Sequence, residues 1–150
     1  MLWSLFFRVQ YLLLRLFDPV VRVVWRRGVL SRVASLDVAG RRSGRVRRTL
    51  LTVLTVEGAW YVGHPNGAAS WTRNLEAAGR ATLQFAGGPA AAGPVRAVRL
   101  YGGPEREAAI RAGWIQQPFP ANLIYAMARR HVRRVGVFFR LTPLDAAGEA

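Results

Sequence analysis

Gly40-Arg41-Arg42-Ser43-Gly44-Arg45-Val46-Arg47-Arg48-Thr49 carries five arginines and two glycines between two apolar segments of β character. Glycine tolerates positive φ and so permits a tight reversal. The reversal gathers backbone amides, the Ser43 hydroxyl and several guanidinium forks into a small space suited to a phosphate or carboxylate, which arginine binds bidentately. The same stretch also fits a hairpin whose arginines are simply solvated, the usual fate of a charge run.

Outward from this turn the pattern is that of short strands. Residues 33–39 alternate apolar with small or polar side chains, as a half-buried strand does. Residues 49–56 are nearly continuously apolar and β-branched, which predicts a strand covered on both sides. Glu57-Gly58 predicts a hairpin turn and 59–63 the returning strand. After the loop His64-Pro65-Asn66-Gly67-Ala68-Ala69, Ser70 is expected to cap a short helix over 71–78 that Gly79 ends. Strands are predicted at 80–86 and 95–101, joined by a small-residue loop at 87–94. Pro104 opens a helix to about Gln116, Pro118 and Pro120 break it, and Asn122 to Arg133 reads as a further helix. A closing strand at 135–141 precedes a frayed tail. Six short strands with inserted helices predict an α+β protein built on a small antiparallel barrel, and the alternating order of a doubly wound parallel sheet is absent.

The 150 residues suffice for one domain with a real core. All 22 basic residues are arginine, against 8 acids, so the formal charge of +14 calls for an anionic partner: a phosphorylated cofactor, an anionic membrane surface or nucleic acid. Nucleic acid is disfavoured, because the arginines are dispersed and neither an aromatic RNA-binding sheet signature nor helix-turn-helix spacing is found. With no cysteine, disulfides and thiolate chemistry are excluded. His64 and His131 are the only histidines, and no cluster has metal-ligand spacing, so no metal site is expected. No serine sits in a nucleophile-elbow context and no carboxylate pair stands out, so an enzyme of this composition would rely on an organic cofactor.

Residues 1–30 are the greasiest part of the chain, yet Arg8, Arg15 and Arg22 recur every seven residues along one helical stripe. Asp18-Pro19 predicts a break, with one helix to about Phe17 and another from Pro19 to about Arg27. The charges leave no window of about 20 apolar residues for a membrane span, nor is there a secretory signal. Two placements fit. In one, Trp3, Phe6, Phe7, Leu13, Leu14 and Phe17 enter the acyl boundary with arginines at anionic headgroups. In the other, the helix packs on its own domain or across a dimer, with the arginine stems along apolar surface. The expected division is a helical segment at 1–30, the barrel at 31–143 and a flexible tail at 144–150.

The arginine turn, Gly67 in its short loop, Trp71-Thr72-Arg73-Asn74-Leu75, and Arg134-Val135-Gly136-Val137-Phe138-Phe139-Arg140-Leu141-Thr142-Pro143 together resemble the deazaflavin-dependent nitroreductase and quinone reductase family, from about Leu36 to Pro143. The resemblance implies a split β-barrel and the cofactor coenzyme F420, with FMN the lesser alternative. It implies that Arg41, Arg42 and Arg47, with Ser43 and Gly44, hold the anionic tail of the cofactor. His64, Asn66 and Gly67 would line the deazaflavin side, with Trp71 and Asn74 bracing that wall and Tyr125 near the substrate. Read from the residues alone, Trp71 equally fits a core tryptophan and Asn74 a loop brace. Where relatives often carry a longer Ser-Lys-Gly-Gly loop, this chain has His64-Pro65-Asn66-Gly67. The implied activity is hydride transfer to a quinone, nitroaromatic or similar flat apolar acceptor by a cytoplasmic protein, peripheral on the inner face of the membrane and paired as a homodimer. The alternative is a non-catalytic binder of a fatty acid or anionic lipid on the same fold.

Overall fold

A computed structural model describes residues 2–26, 32–86 and 93–144, and within the first of these the side chains at 2–13, 15, 19 and 20. In chain order the elements are α1 (Leu2–Arg26), β1 (Val33–Ala39), β2 (Val46–Thr52), β3 (Leu54–Val56), β4 (Ala59–His64), α2 (Ser70–Ala78), β5 (Arg80–Phe85), β6 (Gly93–Leu100), α3 (Gly103–Gln116), α4 (Ala121–Met127), α5 (Arg129–Val135) and β7 (Val137–Pro143). The expected tail, most of the small-residue loop and the boundary near residue 30 lie outside the described residues.

The seven strands form one sheet in the order β2-β1-β5-β6-β7-β4-β3, every pairing antiparallel. β2 and β3 occupy opposite edges of that order, yet only Val53 separates them in the chain. The sheet must therefore curl until its two edges nearly meet, which makes it a split β-barrel with helices. Val53 is buried at the crossing, and its N–H bonds the Arg32 carbonyl at 2.9 Å. The strand predicted over 49–56 is thus two strands, and the barrel has seven rather than six. Nor is the stretch covered on both sides: residues 49–52 are half-buried and Thr55 is exposed, with only Val53 and Leu54 buried, and an apolar run carries no signal for the residue at which a chain changes edges.

Alternation along the strands divides the core in two. Inside the barrel Leu36, Val62, Leu83, Val95 and Phe139 pack with Leu75 of α2. On the outer face Leu54, Tyr61, Leu100 and Phe138 pack under Ile110 of α3, Val132 of α5 and Phe7 of α1. Phe138 and Phe139 are neighbours in sequence and belong to opposite cores, as a two-residue period requires. Glu57 and Gly58, with φ of 49° and 80°, make the two-residue hairpin turn between β3 and β4.

Three helical expectations change. α1 runs through Asp18-Pro19 without ending, with Pro19 inside it; a proline inside a helix removes a single backbone hydrogen bond and need not end it. The helix predicted from Asn122 to Arg133 is interrupted at Ala128, whose φ of −88° and ψ of 11° separate α4 from α5. Ser70 is the first residue of α2 rather than its cap. The cap position is Ala69, and the Thr72 hydroxyl accepts from the Ala69 N–H and donates to the Ala69 carbonyl, both at 2.9 Å.

α1 packs on its own domain, the second of its two expected placements. Phe7 is 1% exposed, in the outer core, while Leu2, Leu5, Phe6, Val9, Leu12 and Leu13 are exposed along the opposite side. Phe7 and Trp3 therefore pack on the protein, whereas Phe6 and Leu13 are exposed. The side chains of Leu14, Phe17 and Arg22 are outside the described residues. No helix among the described residues is long and apolar enough to cross a membrane.

Candidate functional site

The arginine turn closes on itself before it faces anything else. The Gly44 N–H donates to the Gly40 carbonyl and the Gly40 N–H to the Arg45 carbonyl, both at 2.8 Å, and Gly44 takes a φ of 68°. Ser43 Oγ accepts from the Arg45 N–H at 3.3 Å. A Cβ at Gly40 would sit 3.0 Å from Ser43 Oγ, so the turn is tight enough to favour glycine at that end too.

The five arginines then separate by function. Arg48 reaches across the β1–β2 pair to Asp37 in a two-pronged contact at 2.7 Å, and this hydrogen-bonded partner holds the Asp37 carboxyl below its ordinary range. Arg41 is fixed to α2: its backbone N–H and its guanidinium both donate to Asn74 Oδ1, at 3.2 and 3.0 Å. Arg45 remains exposed beside Ser43. Arg42 and Arg47 form no hydrogen bond or ion pair with any described residue and border a cavity of about 360 Å3. Trp71 and Asn74 of α2 form its wall, with Ser43 at the turn.

Thr49 and Ser70 also line this cavity, and sequence reading missed both. Thr49 follows Arg47 by two residues and so shares its face of β2, a signal the alternation contained. Ser70 is expected to cap α2; because Thr72 does that work, Ser70 is left lining the cavity.

The structure brings together Arg41, Arg42, Ser43, Arg47, Trp71 and Asn74, and places His64, Asn66 and Gly67 beyond Trp71, beneath α1. Gly44 shapes the turn without lining the cavity. His64 is buried, with its ring 6.3 Å from that of Trp71 and stacked at 4.8 Å on Tyr11. Its Nδ1 lies 3.0 Å from the Gly67 carbonyl, and burial lowers its pKa against that hydrogen bond, which raises it. Asn66 ties the loop to two helices, its amide donating to the Ser4 carbonyl at 3.4 Å and its Oδ1 lying 2.8 Å from His131 Nε2. Burial, then Arg134, keep His131 below its ordinary value. Tyr11 is 41% exposed at its surface, yet desolvation of its phenol pushes the pKa up to about 12. Tyr125 lies in the outer core against Gly113, and burial raises its phenol well above the ordinary value.

The site therefore has two parts joined at Trp71: an open cavity bordered by arginines without an ionic partner among the described residues, and a buried aromatic wall covered by α1. The curled seven-stranded antiparallel sheet is a split β-barrel, a fold found among solved structures. Among solved structures that superpose on it is an F420-H2 dependent reductase, FDR-A, 20% identical, with a TM-score of 0.59 over 74% of this chain and 94% of that one. A domain-swapped dimer matches at 18% identity and a TM-score of 0.58, over 85% and 96% of the two chains. HutZ, the haem storage protein from Vibrio cholerae, matches at 13% identity and 0.55, over 87% and 92%. At these identities the likeness is one of fold, and the fold serves both reductase and haem-binding roles. No protein-family model and no curated protein sequence matches the chain.

Proposed function

We propose that the chain is an oxidoreductase that binds coenzyme F420 by its anionic tail and reduces a flat, electron-poor acceptor such as a quinone or nitroaromatic. The observation that carries the reading is the pair Arg42 and Arg47, two guanidinium groups without a partner among the described residues, beside a cavity walled by Trp71 and Asn74. A like-charged pair left unneutralised at a concave surface is a standing demand for an anion. The residues fit the tail of such a cofactor: Ser43 adds a hydroxyl, and Asn74 holds Arg41 so that the turn presents one shape. When bound, the deazaflavin would supply the hydride. The protein contributes orientation and exclusion of water, with His64, Asn66 and Gly67 behind Trp71. An apolar acceptor would approach along α1, whose exposed apolar side suits peripheral attachment to a membrane. Pairing of two chains is consistent with the domain-swapped neighbour.

A second reading, a non-catalytic binder of a fatty acid or anionic lipid, draws on the Tyr11–His64 stack, which covers the aromatic wall while the arginine-bordered cavity stays open. Fluorescence titration with oxidised coenzyme F420 separates the two. The first reading expects saturable binding that Arg42→Ala and Arg47→Ala each weaken by roughly one to two decades, the value of a charge-assisted hydrogen bond of about 1.5–3 kcal/mol. Saturation by a long-chain fatty acid, with none by the deazaflavin, would establish the second. The absorption spectrum of the purified protein reports FMN or haem directly.

A further inference from the structure

The larger cavity, of about 760 Å3, shares no lining residue with the arginine turn. It opens between the start of α1 and the break at Ala128, and is lined by Trp3, Met127, Arg129, Arg130, His131 and Arg134. Its charge is uncompensated from within. From Gln117 to Leu144 the chain contains no aspartate or glutamate. Arg133, on the same helix, is paired with Glu107 at 3.1 Å and lies over the Trp114 ring. Arg129, Arg130 and Arg134 have no hydrogen-bonded or ionic partner among the described residues, and Arg130 and Arg134 are one helical turn apart, where like charges repel.

The floor is rigid and the rim is apolar. His131 is held by Asn66 at 2.8 Å and stacks on Phe7. Trp3, which lines the cleft, meets the exposed Phe6 edge to face at 5.7 Å, and Met127 of the lining is itself exposed. A partner that satisfies both features has a compact anion and a hydrocarbon portion joined to it.

We propose that this cleft binds the phosphate headgroup of an anionic amphiphile, with its acyl part lying over Phe6 and Met127. The assignment rests on the membrane-facing reading of α1 and is independent of the deazaflavin. Three arginines at one headgroup site fix α1 against the bilayer, whereas scattered surface charge would only draw the protein near it.

The test is flotation of the full chain with vesicles of phosphatidylcholine alone or with added phosphatidylglycerol, alongside calorimetric titration with inorganic phosphate. Two charge-matched variants are compared: Arg129→Gln/Arg130→Gln/Arg134→Gln, and Arg45→Gln/Arg80→Gln/Arg96→Gln, all at positions whose loss leaves the core intact. The expected result is binding of the wild type to the anionic vesicles, a loss of roughly a hundredfold in the first variant, and a change within about threefold in the second. Equal losses in the two variants would overturn the site while leaving α1 membrane-facing. Failure of the wild type to prefer anionic vesicles would overturn the amphiphile, as would saturable binding of inorganic phosphate without vesicle binding, which would assign the cleft to a free phosphate.

Discussion

Gly63 stands directly opposite Phe138 in the β4–β7 pairing, and a Cβ on Gly63 would lie under 3.0 Å from the Phe138 ring. The ring belongs to the outer core and is fully buried, so it has no free direction in which to yield. Gly63→Ala is expected to cost about 1–3 kcal/mol through overpacking, a fall in melting temperature of roughly 2–4 °C per kcal/mol. Thermal unfolding measures it. A melting point equal to wild type would mean that the sheet and ring shift more freely than this packing allows.

The Asn74 contact separates a structural from an electrostatic role at the arginine turn. Asn74→Ala removes both hydrogen bonds to Arg41 and is expected to lower stability by about 1–2 kcal/mol and to loosen the turn. Asn74→Asp keeps an acceptor for Arg41 but sets a negative charge in the cavity wall, so stability should hold while affinity for an anionic ligand falls. Paired melting and titration experiments check both. If the aspartate variant bound anions as tightly as wild type, the cavity would not be the anion site.

Much of this was legible in the chain. Alternation located the strands, Glu57-Gly58 marked its hairpin, and the glycines of the arginine turn marked the reversal beside the cavity. What could not be read was non-local. Whether Val53 continues a strand or carries the chain to the far edge depends on pairings with β1 and β4, on either side of it in the sheet. Which arginines are free depends on Asp37 and Asn74, residues remote from the turn. That α1 covers His64 follows from the seat offered to Phe7 and Tyr11, for which a greasy helix gives no address.

The exposed edge at β3 is closed by a side chain. Gln116, the last residue of α3, accepts from the Thr55 N–H at 2.8 Å and donates to the Thr55 carbonyl at 2.6 Å, imitating one residue of a neighbouring strand. Gln116→Ala is expected to cost about 1–2 kcal/mol for the two bonds and to leave an unpaired edge that invites self-association. Hydrogen exchange at Thr55 and light scattering on warming report the two effects. Unchanged protection at Thr55 would show that water replaces the glutamine without cost.

Acid stability follows from the histidines. His64 and His131 are both held below their ordinary 6.5, each chiefly by burial, with Arg134 adding to the effect at His131. The unfolded chain therefore takes up protons that the folded protein refuses, and stability present above about pH 6.5 is lost as the pH falls below it. Asp37 and Glu76, lowered by their arginine and tyrosine partners, contribute in the same direction but only below their ordinary 3.8 and 4.5. Raised tyrosines such as Tyr61 and Tyr125 act at the other end, where stability is lost as the pH climbs past 10. Between pH 7 and 5 the histidines alone remain among the shifted groups of the described residues. The melting temperature should fall across that interval in the wild type and stay nearly level in His64→Gln/His131→Gln. Parallel slopes in the two proteins would place the acid sensitivity elsewhere.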